Sequence, residues 1–462
     1  MKDMEYISTR GETESMTFRD AVMTGLAPDG GLMIPAEIPN VESRLQDWDG
    51  LPYRDLAFEV LRLFTDLPDT DLHALVEDSY KSFRHPDVAP TVCAGPVRIL
   101  ELFHGPTLAF KDIALQFLSN LFEYILEEQD AELNILGATS GDTGSAAIHG
   151  VCGRDRIRIF MMHPHERVAP LQERQMTTVL DGNVFNLAVK GTFDDCQRIM
   201  KSIFEDLAFK EAYTLGAVNS VNWARVLSQI VYYFHAALQV RRAEGVQAVR
   251  FAVPTGNFGD ILAGWYALRM GAPISRLILA TNENDILARF FNSGNYSTGA
   301  VVKTLSPSMD IQVASNFERY LFYRAGETPA RLRALMDLFR TSRSLSMEPG
   351  PDGTVDPQID AGVGTTQDTL QTIRENYERY GVILDPHTAV GVRVAMEHLA
   401  DDEPMICLAT AHAAKFPDAI RDAVGESATH ELLEGILDAP ARCTKVPNDA
   451  AVIRKYIASH AG

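Results

Sequence analysis

Lys111 lies in the stretch HGPTLAFKDIA, residues 104–114, behind a turn and beside Leu108 and Phe110, with Ile113, Ala114 and Leu115 following at what reads as a helix start. Apolar neighbours and the positive end of a helix both disfavour an ammonium ion. An amine so placed suits proton transfer and Schiff-base chemistry. On spacing alone, the same position suits a surface lysine whose stem lies along the protein and whose charge reaches water.

Three further stretches carry residue types suited to a ligand. Thr255-Gly256-Asn257-Phe258-Gly259 follows the strand-like VRFAVP and opens a helix, so its amides and the helix end can cradle a phosphate. It matches neither G-x-x-x-x-G-K-[ST] nor G-x-G-x-x-G, which sets aside nucleoside triphosphates and NAD. A tight strand-to-helix turn would read the same way. Thr139-Ser140-Gly141-Asp142-Thr143 combines hydroxyls with a helix start, which suits a carboxylate, or simply caps the helix. Thr410, followed by His412, ends the strand-like MICLA and offers a hydroxyl to an uncharged ring nitrogen. His104, His163, His165, His387 and His412 have the chemistry for acid-base work, but none has metal-ligand spacing, and no metal is expected.

The elements that would position these residues repeat one rhythm. ELNILGATSGDTGSAAIHGV, VRFAVPTGNFGDILAGWYALRM and PMICLATAHAAKFPDAIRDAV each run from a buried-type strand into a loop of small residues and then a helix. This is the pattern of an α/β protein with parallel sheets, whose ligands bind at the carboxyl ends of the strands. Residues 1–95 read as a mainly helical region, 96–245 as one α/β domain and 246–462 as a second ending in helices. The Gly/Pro/Asp-rich stretch 347–367 reads as a surface loop or lid.

The bulk properties narrow the class. With 462 residues, 46% hydrophobic and 23% charged, the chain can bury two or three cores. A formal charge of −20 excludes a basic nucleic-acid footprint, and any anionic ligand needs local cations. Five scattered cysteines without C-x-x-C spacing suggest neither disulfides nor zinc. With no leader-like or membrane-spanning apolar run, a cytoplasmic location is expected.

The chain resembles the threonine synthase family, pyridoxal-phosphate enzymes of the tryptophan-synthase β-like fold (fold type II). The likeness runs almost end to end through YISTRGE, GLAPDGGLMIP, HGPTLAFKD, ATSGDTGSA, QERQMTT, FDDCQ, NSVNWAR, VPTGNFGDILAG, TNENDIL, SPSMDIQVASNFER, LDPHTAVG and LATAHAAKF. The resemblance implies that Lys111 bonds pyridoxal 5'-phosphate and that Gly256, Asn257, Phe258 and Gly259 hold its phosphate. It implies that Thr410 meets the pyridine nitrogen. Thr139, Ser140, Gly141, Asp142 and Thr143 would hold the substrate carboxylate. Related folds commonly carry Asn where Asp142 stands, so Asn219 or Asn222 is expected to reach the cofactor phenolate. Arg10, Arg225 and Lys415 are the candidates for the substrate phosphate.

The implied activity is a lyase reaction of amino-acid biosynthesis, in which O-phosphohomoserine and water give threonine and phosphate in a monomer or homodimer. The rivals are a related phospho-lyase or threonine dehydratase giving 2-oxobutyrate, and a non-catalytic protein that binds the same cofactor. Two departures stand out. Ala413 replaces the proline usual after the histidine, and His163-Pro164-His165-Glu166 replaces a Pro-Glu/Asp-Gly turn.

Overall fold

A computed structural model describes residues 4–139, 141–350 and 353–461. It divides into two compact units: Met1–His73, Phe83–His104 and Ser220–Ala428 form the first, and Ala74–Ser82, Gly105–Asn219 and Thr429–Gly462 the second.

The first unit is built on a six-stranded sheet in the order Ile359–Val363, Ile274–Thr281, Val249–Pro254, Met405–Ala409, Val97–Glu101, Thr91–Ala94. All neighbours run parallel except the last pair. MICLA is buried at every position and VRFAVP at all but one, as expected of strands covered on both faces. Ile99, Ala252, Ile278, Val390 and Cys407 share one core across it. The antiparallel pair Tyr6–Ser8 and Met33–Pro35 is anchored by Tyr6, whose hydroxyl donates to Phe64 O (2.7 Å) and accepts from Trp223 Nε1 (3.0 Å).

The second unit carries a five-stranded parallel sheet in the order Thr444–Pro447, Val184–Lys190, Ile157–Pro164, Leu133–Ala138, Leu215–Gly216. The helix Ala450–His460 buries Ile453 and Ile457 in a core with Leu136, Phe160 and Leu187. That burial, together with the pairing of Thr444–Pro447 with Val184–Lys190, draws the C-terminal segment into this unit. The consecutive segments 1–95, 96–245 and 246–462 therefore do not coincide with the interleaved units.

The stretch 347–367 is not loop throughout. Ile359–Val363 pairs with Leu277–Thr281 as an edge strand, because Ile359 and Ala361 supply an apolar face at a spacing of two.

Candidate active site

In the second unit, Lys111 is the first residue of the helix Lys111–Glu128 and is 9% exposed. The turn before it is locked by Asp112, whose carboxylate accepts from Thr107 N (2.8 Å) and Thr107 Oγ1 (2.6 Å). Gly105 is required there, since a Cβ would stand 2.5 Å from that of Asp112. Leu108, Ile113, Ala114 and Leu115 are all buried, as the sequence suggested. Lys111 Nζ lies 5.0 Å from the Phe110 ring centroid and 3.7 Å from Asp142 Oδ2. The carboxylate sets a charged neighbour beside the apolar ones visible in the sequence.

Asp142 opens the helix Asp142–Val151 and is itself buried. Gln172, which sequence reasoning passed over within QERQMTT, donates to Asp142 Oδ1 at 3.2 Å. From the same helix, Gln175 donates to Thr107 O at 3.2 Å, so Pro170–Thr177 grips both the lysine turn and the Asp142 helix. Thr139 Oγ1 accepts from Gly144 N (3.0 Å) and Gly141 N (3.1 Å), which makes it a helix cap. Gly141 is buried, Thr143 and Asn219 are half-buried, and Ser140 lies outside the described residues.

The first unit holds the remaining candidates. Gly256–Gly259 leaves the strand Val249–Pro254 and leads into the helix Gly259–Arg269, whose first amides have no carbonyl partner within the helix. Phe258 adopts φ 65° and is anchored through its ring against Phe291, Phe317 and Tyr320, so it offers the turn its backbone rather than its side chain. At Gly256 a Cβ would sit 2.7 Å from Ser308 O, too close for any other residue without backbone movement. Asp260, in the first turn, is held by Tyr232 Oη (2.5 Å) and Tyr233 Oη (2.9 Å). Thr410 follows the adjacent parallel strand, so it leaves the sheet at the same end as the Gly256 loop.

The three cations differ. Arg10 is committed to Glu318 in a two-pronged pair, Nε to Oε1 at 3.1 Å and Nη2 to Oε2 at 3.0 Å. Lys415 is 2% exposed in the 3-10 turn Ala413–Lys415. Arg225 is 6% exposed, and its Nε and Nη1 find no hydrogen-bond partner among the described residues. Burial alone pushes its guanidinium down to about 10. Arg319 is equally buried yet satisfied, donating to Met33 O, Val221 O and Asn316 Oδ1. Two of the three nitrogens of Arg225 thus lack, among the described residues, the partners that make a buried charge tolerable, and an anion would supply them. Asn222 is spent structurally: its oxygen caps the helix Trp223–Glu244 through Ala224 N (3.1 Å) and its nitrogen donates to Val22 O (2.8 Å).

Taken unit by unit, the residue types suit parts of pyridoxal phosphate: in the first, a glycine turn at a helix start has the chemistry for a phosphate and the Thr410 hydroxyl that for a ring nitrogen, and in the second the buried Lys111 has that for an aldehyde. No group of three or more His, Cys, Asp or Glu suited to a metal occurs among the described residues, and none of their helices is long and apolar enough to cross a membrane.

Comparison with known proteins agrees along the whole chain. Residues 5–80 match the family model for the threonine synthase N terminus, 93–349 that for pyridoxal-phosphate dependent enzymes, and 388–457 that for the threonine synthase C-terminal region. Threonine synthase of Pseudomonas aeruginosa is 46% identical, covering 99% of this chain and 98% of its own length. That of Saccharomyces cerevisiae is 44% identical, covering 94% and 91%. Among solved structures, PLP-bound threonine synthase from Brucella melitensis superposes with a TM-score of 0.96 at 44% identity, covering 99% of each chain.

Proposed function

This chain belongs to the threonine synthase family of pyridoxal-phosphate dependent enzymes, and on that premise we propose that it converts O-phospho-L-homoserine and water into L-threonine and phosphate. The observation that carries this reading is identity to threonine synthase of 46% over 99% of the chain.

Pyridoxal phosphate, when bound, supplies an electron sink that makes carbon-bound hydrogens of the substrate acidic enough to be removed. Lys111 would hold the cofactor and, as a free amine, would move protons between successive substrate carbons. Asp142, 3.7 Å from that amine, would orient it, and Gln172 fixes the carboxylate. The amides of Gly256, Asn257, Phe258 and Gly259 hold the cofactor phosphate. Thr410 would offer its hydroxyl to the pyridine nitrogen. Thr139, Gly141 and Thr143 would present the helix start to the substrate carboxylate. Asn219 reaches the cofactor phenolate, since the amide of Asn222 is already committed. Arg225 and Lys415 meet the substrate phosphate, while Arg10 orders the N-terminal strand through Glu318. The enzyme works in the cytoplasm as a monomer or homodimer.

Borohydride reduction of the holoenzyme, followed by peptide mapping, tests the lysine assignment. The cofactor is expected on the peptide containing Lys111, and Lys111→Ala is expected to trap none. Label on another lysine would refute the assignment.

A further inference from the structure

Asp385 is fully buried at the start of the helix Pro386–Ala395, and its two oxygens serve different neighbours. Oδ1 accepts from His387 N (3.0 Å) and lies 2.9 Å from His387 Nδ1. Oδ2 accepts from the hydroxyl of Thr388. Each neighbour reaches on to a loop of the candidate site. His387 Nε2 is 3.3 Å from Ser308 N, and a backbone N–H can only donate. Nε2 is therefore unprotonated, and the ring proton sits on Nδ1, facing Asp385. Ser308 in turn packs its carbonyl against Gly256, at the place a Cβ would occupy. On the other side, Thr388 Oγ1 gives its proton to Asp385 and accepts from Thr410 N at 3.3 Å. One carboxylate is thus connected, through two separate arms, to the Gly256 loop and to Thr410.

We propose that Asp385 is a positioning residue for the cofactor, holding the phosphate cradle through His387 and Ser308 and the ring-nitrogen partner through Thr388 and Thr410. The two ends of pyridoxal phosphate are rigidly connected, so the loops that receive them must be held at a matching separation. A shared anchor does this with fixed hydrogen bonds rather than with residues that touch the ligand. This inference rests on the reading of Gly256–Gly259 as the phosphate cradle and of Thr410 as the ring partner.

The arms make different predictions, which mere loss of stability would not. Apo-protein is titrated with pyridoxal phosphate and with pyridoxal, which lacks the phosphate, and the lysine-bound chromophore is followed by absorbance. His387→Ala is expected to weaken pyridoxal phosphate binding about tenfold, the scale of one hydrogen bond to a charged group, and to leave pyridoxal binding unchanged. Thr388→Val is expected to weaken both ligands alike, and Thr388→Ser, which keeps the hydroxyl, to restore both. An unchanged preference for the phosphate in His387→Ala, or equal losses in Thr388→Ser and Thr388→Val, would overturn the proposal. Should His387→Ala not fold, the comparison of Thr388→Ser with Thr388→Val still decides it. A wild-type protein with no preference for pyridoxal phosphate would instead refute the cradle assignment itself.

Discussion

Replacing Arg225 by methionine should make the protein more stable and a poorer enzyme at once. In the structure Arg225 is 6% exposed, its Nε and Nη1 find no partner among the described residues, and burial lowers its proton affinity from the ordinary 12.5 to about 10. At about 1.4 kcal/mol for each tenfold change, keeping the ion charged inside the fold costs roughly 3 kcal/mol. The sign follows from linkage: a base whose folded value is depressed destabilises the fold fully below that value, and the penalty is relieved only as pH rises through about 10. At neutral pH Arg225→Met removes the whole penalty while keeping most of the apolar stem. Roughly 3 kcal/mol is then the upper limit of the gain, reduced by any packing lost around the shorter chain.

The functional loss is opposite in sign. Hydrogen bonds to a charged group contribute about 1.5–3 kcal/mol each, so KM for O-phosphohomoserine should rise roughly tenfold to a hundredfold. Cofactor affinity should stay constant if Arg225 meets the substrate phosphate rather than that of the cofactor. The assay is urea unfolding of the apo-protein beside steady-state kinetics and cofactor titration of the holoenzyme. A variant that unfolds earlier and keeps its KM would refute the reasoning, because it would mean that Arg225 is satisfied within the fold.

The other predictions concern charge and protonation. Asp142→Asn preserves an acceptor for Gln172 but removes the charge 3.7 Å from Lys111, so turnover should fall at least tenfold while the fold is kept; full activity would dismiss the pair. His235 is buried, its Nε2 finds no hydrogen-bond partner among the described residues, and desolvation pushes its ring down to about 4. As pH falls from about 6.5 to 4 the unfolded chain takes up a proton that the folded chain refuses, so roughly 3 kcal/mol of stability should be lost across that window. His235→Gln should flatten this dependence in urea midpoints measured against pH, and an unchanged slope would contradict it.

The local features were readable in the sequence because they are properties of short windows. The strand-loop-helix units, the helix start at Lys111 and the cap at Thr139 follow from periodicity and residue type. What sequence reasoning missed depends on long-range pairing. Nothing in ARCTKVPNDAAVIRKYIASH says which sheet Thr444–Pro447 will join. Arg10 looked available because its partner Glu318 lies 308 positions away. Asn222 looked like a ligand contact until Val22 claimed its nitrogen. The motifs SPSMD and LDPHTAVG were noticed without a role, since only the fold brings Ser308 to His387. One of the two departures has a backbone counterpart: Glu166 takes φ 58°, a left-handed conformation that glycine adopts more readily.

Incubating the holoenzyme with O-phosphohomoserine, while following phosphate and organic products together, decides between threonine synthesis and its rivals. Phosphate and threonine are expected in equal amounts. Phosphate accompanied by 2-oxobutyrate, or no phosphate at all, would contradict the proposed activity.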